Sequence, residues 1–481
     1  MNHLFTCKTP LLFFHRLPAL AFLMTVVFLI NPSCSFAQKE VNILHADRLE
    51  GGKVGDQNVR RLIGNVQLKS QDIDLECDSA YQFLNSDELR AFGNIEVKAQ
   101  KGIIWADTAI YHTKSKHSTF IGHVIFMQDS VTIFTSLVHY NYSTEIAHIP
   151  SRLRMEDKKG TLLADRGTYF QKIDSAAFRG NVQLTDSTQY IEADSLFSNR
   201  KKKYYELHGH VFVRDKKNSL TFVGDYAQSD SSGHRFVQGN ARLDKYKPDK
   251  PDTNYIRGDL IAYHQVDSSY TFHSIGNVRI WNKQFSSRSD SAAFVDSTGH
   301  FVLTDSAKAW YKHMQLTAPT ILITIRQDTV RRLNAFPNAF SAQQDSLTKR
   351  LNQISGDTLT GWFKKGVMDH MLVRPNAHML YFTHNNQNQP DGAINMSSDS
   401  LRILFVNGQV NKAKALKGVS GTYLEESKET EKMKLKGFTW NPKERPLKPQ
   451  KPLRQRLPAI PDHEPFPLPE RYLTYISTKK K

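Results

Sequence analysis

"LRAFGNIEV" occupies residues 89–97, and close copies of it recur along the chain. They read "RLIGNVQL" at 61–68, "TFIGHVIF" at 119–126, "AFRGNVQL" at 177–184, "ELHGHVFV" at 206–213 and "HSIGNVRI" at 273–280. Around the shared glycine, apolar and polar residues alternate: Ile95 and Val97 fall on one face, Glu96 on the other. Period two marks a strand with one buried face. The motif therefore predicts a strand that reaches a tight backbone position at glycine, where positive φ is accessible without a Cβ clash.

The motif glycines stand at 64, 93, 122, 180, 209, 239 and 276, spaced 29, 29, 58, 29, 30 and 37 residues apart. The double gap hides a degenerate copy near Ile149-Pro150-Ser151, and the last gap holds the insertion "KYKPDKPDTN". Half a period away runs a second motif: "CDSAYQF" at 77, "WADTAIY" at 105, "LADRGTY" at 163, "EADSLFS" at 192, "GDYAQS" at 224, "RGDLIAY" at 257 and "RSDSAAF" at 288. An aspartate in every repeat is a structural device for satisfying local N–H donors, since catalysis does not need one carboxylate per repeat.

Periods of this length belong to stacked arrays. Half a repeat, about 15 residues, makes one rung, so His45 to Trp310 should hold roughly 18 rungs spaced about 4.8 Å apart. The expected fold is all-β: a repetitive antiparallel sheet, elongated, with an apolar inner face and two exposed edges. Whether it is one piece or two stacked modules broken near 244–255 stays open. Inward positions by alternation are Val66, Leu68, Ile95, Val97, Val124, Phe126, Val182, Leu184, Val211, Val213, Val278 and Ile280. They fit a lipid-binding groove and plain core packing equally.

The N-terminus carries a signal-peptide pattern: Lys8 and Arg16, an apolar run from Leu17 to Ile30, and Ser35-Phe36-Ala37 as a cleavage site. A lipidated Cys34 is the competing reading, weakened by the absence of an aliphatic residue in Asn31-Pro32-Ser33. Cleavage after Ala37 would leave Cys77 alone of the three cysteines, so neither an internal disulfide nor a cysteine-based zinc site is expected. The net charge of +17 favours anionic partners. Export argues against nucleic acid. His208 and His210 flank Gly209 without a third metal ligand at matching spacing, and no phosphate loop or nucleophile elbow occurs. No catalytic residue, metal or cofactor is expected.

Together the repeated "GNV" and "ADSA" units resemble the OstA-like, or organic-solvent-tolerance, family. Later stretches add "LTDSAKAWY" at 303, "QLTAPTILI" at 315, "ISGDTLTGWFKKG" at 354, "SSDSLRI" at 397 and "LKGFTW" at 435. They are similar to the C-terminal part of long Bacteroidetes-type members. The resemblance implies a V-shaped β-jellyroll in the periplasm that holds lipopolysaccharide acyl chains in its groove. It implies assembly with other lipopolysaccharide-transport proteins, or with itself, by edge-strand pairing, no catalysis, and a role in outer-membrane assembly. The twelve inward residues above would line that groove. The alternative is a structural or adhesive β-solenoid at the cell surface.

The expected organisation is a signal peptide over 1–37, jellyroll repeats over 38–243, an inserted loop over 244–255 and further repeats over 256–330. A looser β region follows over 331–440. A Pro-rich basic tail over 441–481 is expected to be extended and disordered.

Overall fold

The computed structural model describes residues 41–450, apart from 71–72, 100–101, 248–249, 267–268, 328 and 407–408, and residues 468–479. The signal-peptide reading and Cys34 lie outside these residues. The described chain forms one antiparallel sheet of 32 strands, each pairing with its neighbours in a meander. With a strand interrupted at its middle counted as one rung, Asn42 to Tyr311 holds 18 rungs.

Each rung bends at the motif. In Glu88–Ala99 the backbone turns at Gly93 and Asn94, with φ of 74° and 42°. The pairing registers on both sides shift there, so this strand carries one residue more than each neighbouring strand across the corner. This is a bulge repeated at every corner. A first arm, before the Gly-Asn corner of such a strand, and a second arm, after it, present their apolar faces to each other. Buried residues of both arms form one continuous core. Rings also meet between the arms, as with Phe222 and Tyr263 at 5.8 Å.

The repeated aspartates pin the corners. Asp78 lies beneath the following corner, where Asn94 donates to its carboxylate at 2.9 Å. Asn65–Asp47, Asn181–Asp165, Asn240–Asp225 and Asn277–Asp259 repeat this bond at 2.6–3.2 Å. His123 and His210 take the asparagine's place on Asp107 and Asp194. The aspartates are thus structural, as their number suggested, but Asp107 and Asp194 are each 51% exposed. Their main service is to a side-chain amide or imidazole rather than to a buried N–H.

Two expectations fail. The insertion at 244–255 is not a loop: it extends the hairpin His234–Lys247 and Lys250–Val266, with Lys245 paired to Asn254 and Lys247 to Lys250. Backbone pairing extends as far as Lys247 and Lys250, so the prolines of this stretch do not make it a loop. The basic tail is also ordered at both described ends. Residues 441–450 lie against the sheet and Glu470–Lys479 is helical.

Past residue 331 the rungs split at the corner, as in Thr329–Phe336 followed by Ala339–Gln344. The corner chemistry persists, since Asn376 donates to Asp357 at 3.0 Å. What loosens is the continuity of each strand.

Candidate functional site: an apolar interior between two arms

All twelve residues predicted to face inward do so. Ten are buried in the continuous core, and Leu184 and Val213 are partly buried against it. The alternation of the motif places them there: Val66 and Leu68 are buried, while Gln67 between them is exposed. Every one belongs to the second arm. The first arm supplies the facing wall through residues such as Leu62, Phe120, Leu196 and Ile261, which sequence reading did not single out as site residues.

The buried tyrosines and the cysteine of the interior are neutral. Burial pushes the hydroxyls of Tyr140, Tyr169 and Tyr263 up to about 12, and the Cys77 thiol likewise to about 12. All stay protonated at neutral pH. Two small cavities lie between the arms: one of about 110 Å³ bordered by Tyr263, Phe272, Phe294 and Phe301, and one of about 30 Å³ beside Met371. The larger has a polar end formed by Lys245 and Tyr270, bonded at 2.6 Å.

The outer face of the second arm carries features that the sequence reading missed. The segment after α1 (Lys428–Glu431) runs back along it. Gln353 and Gln315 bond to its backbone near Met433, Leu435, Thr439 and Asn441. Glu444 sits between Lys308 at 2.7 Å and Arg288 at 3.2 Å, and Arg242 donates to the Gln450 carbonyl at 2.7 Å.

Helix α2 (Glu470–Lys479) then covers Trp105, whose ring lies 5.1 Å from Tyr472 and 5.4 Å from Tyr475. Tyr472, Tyr475 and Ile476 share one helical face by their i, i+3, i+4 spacing, a short signal behind Pro469 that was available in the sequence. Arg471 anchors the helix on Glu76 at 2.8 Å. Glu96 faces outward as its position predicts, but it is buried beneath this helix and accepts from the Trp105 indole at 2.9 Å.

A helix of this length is marginal alone and is held by docking. Replacing Tyr472 and Tyr475 by alanine is therefore expected to release it and leave the sheet folded. The check is collisional quenching of Trp105 fluorescence, with the other tryptophans replaced by phenylalanine. Quenching should rise from near that of a buried indole to that of an exposed one.

His208 and His210 do not converge on a site. His210 serves the corner through Asp194, and His208 packs on Tyr226 at 4.8 Å.

Residues 38–194 match the family described as OstA-like protein. Among solved structures, a similar chain is LptH from Pseudomonas aeruginosa, described as the LptA homologous periplasmic component of the conserved lipopolysaccharide transport device. It is 12% identical, with 36% of this chain and 80% of that chain covered and a TM-score of 0.13. No curated protein matches the chain. The corner motif that opens the sequence thus belongs, over residues 38–194, to an OstA-like region.

Proposed function

We propose that the chain is a periplasmic carrier or bridge for lipopolysaccharide, one that holds acyl chains between its two arms and passes them toward the outer membrane. The observation that carries this reading is the apolar interior, whose buried residues run from Val66 past Ile280 in one core. The OstA-like region at its head supports it. The groove residues in this reading are the twelve inward positions of the second arm. Partners are lipopolysaccharide itself and neighbouring transport proteins, or second copies, at the terminal strands. No chemistry is assigned to any residue.

One observation favours a second reading, a structural β-solenoid with a sealed core. The larger interior cavity is about 110 Å³, whereas ligand pockets usually span about 300–1,000 Å³.

Photo-crosslinking residues at Val97 and Phe126, in cells that make lipopolysaccharide, separate the two. The outward control is Gln67, which is exposed, rather than Glu96, which α2 covers. Adducts at 97 and 126 but not at 67 are expected. A folded, exported chain with no adduct at either inner site would leave the sealed solenoid.

A further inference from the structure

The two arms are joined differently along their two long sides. At the corner the backbone itself passes from arm to arm in every continuous rung. At the opposite side the arms end in hairpin turns, and no strand pairing joins one arm to the other among the described residues. What crosses this side is a row of side-chain contacts.

Near the first third, Gln171 at a turn of the first arm donates to Gln128 at the tip of the second, at 2.9 Å. Further on, Arg235 of the first arm pairs with Asp215 of the second at 2.9 Å. Next, Lys245 of the second arm donates to the Tyr270 hydroxyl of the first at 2.6 Å and lies 5.0 Å from its ring centroid. Beyond that, the Tyr311 hydroxyl of the second arm donates to the Gly366 carbonyl at a turn of the first at 3.4 Å.

Each neutral contact in the row is individually weak, because folding exchanges it against water; the Arg235–Asp215 pair is costlier to break, since the Asp215 side chain is only 9% exposed. The ladders within each arm are continuous by comparison. The corner supplies the bend: a bulge of two residues with positive φ, where the pairing register breaks on both sides. The cavity behind the row is too small for a typical ligand while the row is closed.

We propose that this row is a clasped seam, and that the arms part along it, bending at the Gly-Asn corners, to admit an amphiphile sideways into the interior. Its apolar tail would enter between the arms while its polar head stays outside at the seam. The identity of the amphiphile rests on the lipopolysaccharide reading above. The seam itself does not.

The test uses the full chain with Cys7, Cys34 and Cys77 each replaced by alanine, and an apolar dye, N-phenyl-1-naphthylamine, whose fluorescence rises on leaving water. Three forms are compared by stopped flow. One is otherwise unaltered, one carries Gln171→Ala with Arg235→Ala, and one carries Asp215→Cys with Arg235→Cys joined by a short bis-maleimide. Circular dichroism verifies that each is folded.

Uptake about tenfold faster in the clasp-broken form, and several-fold slower in the bridged form, is the expected order. Equal rates in all three overturn the seam, because the dye then enters by the ends. No uptake by any form overturns it as well, because the interior is then sealed. The seam and the function fail separately. A seam that gates dye in a chain giving no lipopolysaccharide adducts leaves the seam and removes the function. Adducts at 97 and 126 with equal dye rates do the reverse.

Discussion

Gly93→Ala should destabilise the protein by about 2–4 kcal/mol, a large cost for one methyl group on a half-buried corner. Two separate terms add. At φ of 74° an L-residue meets its own backbone, which costs roughly 1–2 kcal/mol. A Cβ at this position would also come within 2.3 Å of the Asp78 carboxylate. The carboxylate must then move and give up its bond from Asn94, now at 2.9 Å. Asp78→Ala in the same chain separates the terms. With the carboxylate gone, Gly93→Ala should cost only the backbone part, and the difference is the coupling energy of the pair. Gly52→Ala is the control: its φ is ordinary and its nearest neighbour atom stands 3.9 Å from the added Cβ, so a change within about 0.5 kcal/mol is expected. Urea unfolding of the four variants and the parent reads all of this. A Gly93→Ala cost that is unchanged by Asp78→Ala would mean that the aspartate does not constrain the corner.

The corner was legible because it depends on two neighbouring residues whose chemistry repeats. Gly93 and Asn94 announce positive φ locally, and the alternation of Ile95, Glu96 and Val97 announces which face is buried. For the same reason the inner positions of the second arm could be named one by one. Past residue 331 the signal fades for a local reason. Pro337-Asn338 and Pro375-Asn376 replace Gly-Asn, yet Asn338 and Asn376 keep the positive φ, at 52° and 56°. The asparagine, not the glycine, is the part of the motif retained there.

What stayed hidden depends on surfaces that exist only after the sheet forms. Residues 433–450 make no ladder of their own, and their regular structure is a single 3-10 turn at Pro442–Glu444. They are ordered because Gln315, Gln353, Lys308 and Arg242 on the second arm offer partners to their carbonyls and to Glu444. Helix α2 is likewise fixed by Trp105, hundreds of residues earlier in the chain. The seam pairs, such as Gln128 with Gln171, join turns of different repeats with no shared motif. Here position in the fold, not sequence pattern, selects the residue. The twelve motif positions describe one wall of the interior, and the contacts that would control access to it lie where the repeat is least regular.

Arg242→Met is expected to cost about 3–5 kcal/mol, because it leaves a carboxylate buried without its partner. Arg242 and Asp244 form a two-bond pair at 2.6 and 2.8 Å on the outer face of the second arm. Their side chains are only 4% and 10% exposed, so solvent screens the pair little. Burial holds the Asp244 carboxyl above the usual carboxylate range, and the hydrogen bonds and charge of Arg242, with help from Arg257, oppose that rise. Removing the guanidinium raises it further. For a carboxyl whose folded pKa exceeds its unfolded value, stability is present at low pH and is lost as pH rises through the folded pKa. The gap between Arg242→Met and the parent should therefore be largest near neutrality and shrink as pH falls toward about 4, the unfolded value. A gap that does not change with pH would place the cost in lost packing against the Tyr255 ring, now 4.8 Å from the guanidinium. Arg242→Met with Asp244→Leu should recover most of the stability, since an apolar pair can replace a buried ion pair at little cost. That double variant still lacks the bond from Arg242 to the Gln450 carbonyl. Faster proteolysis of the C-terminal segment in an otherwise stable chain would then show that the ion pair orients Arg242 to hold that segment on the sheet, rather than stabilising the sheet itself.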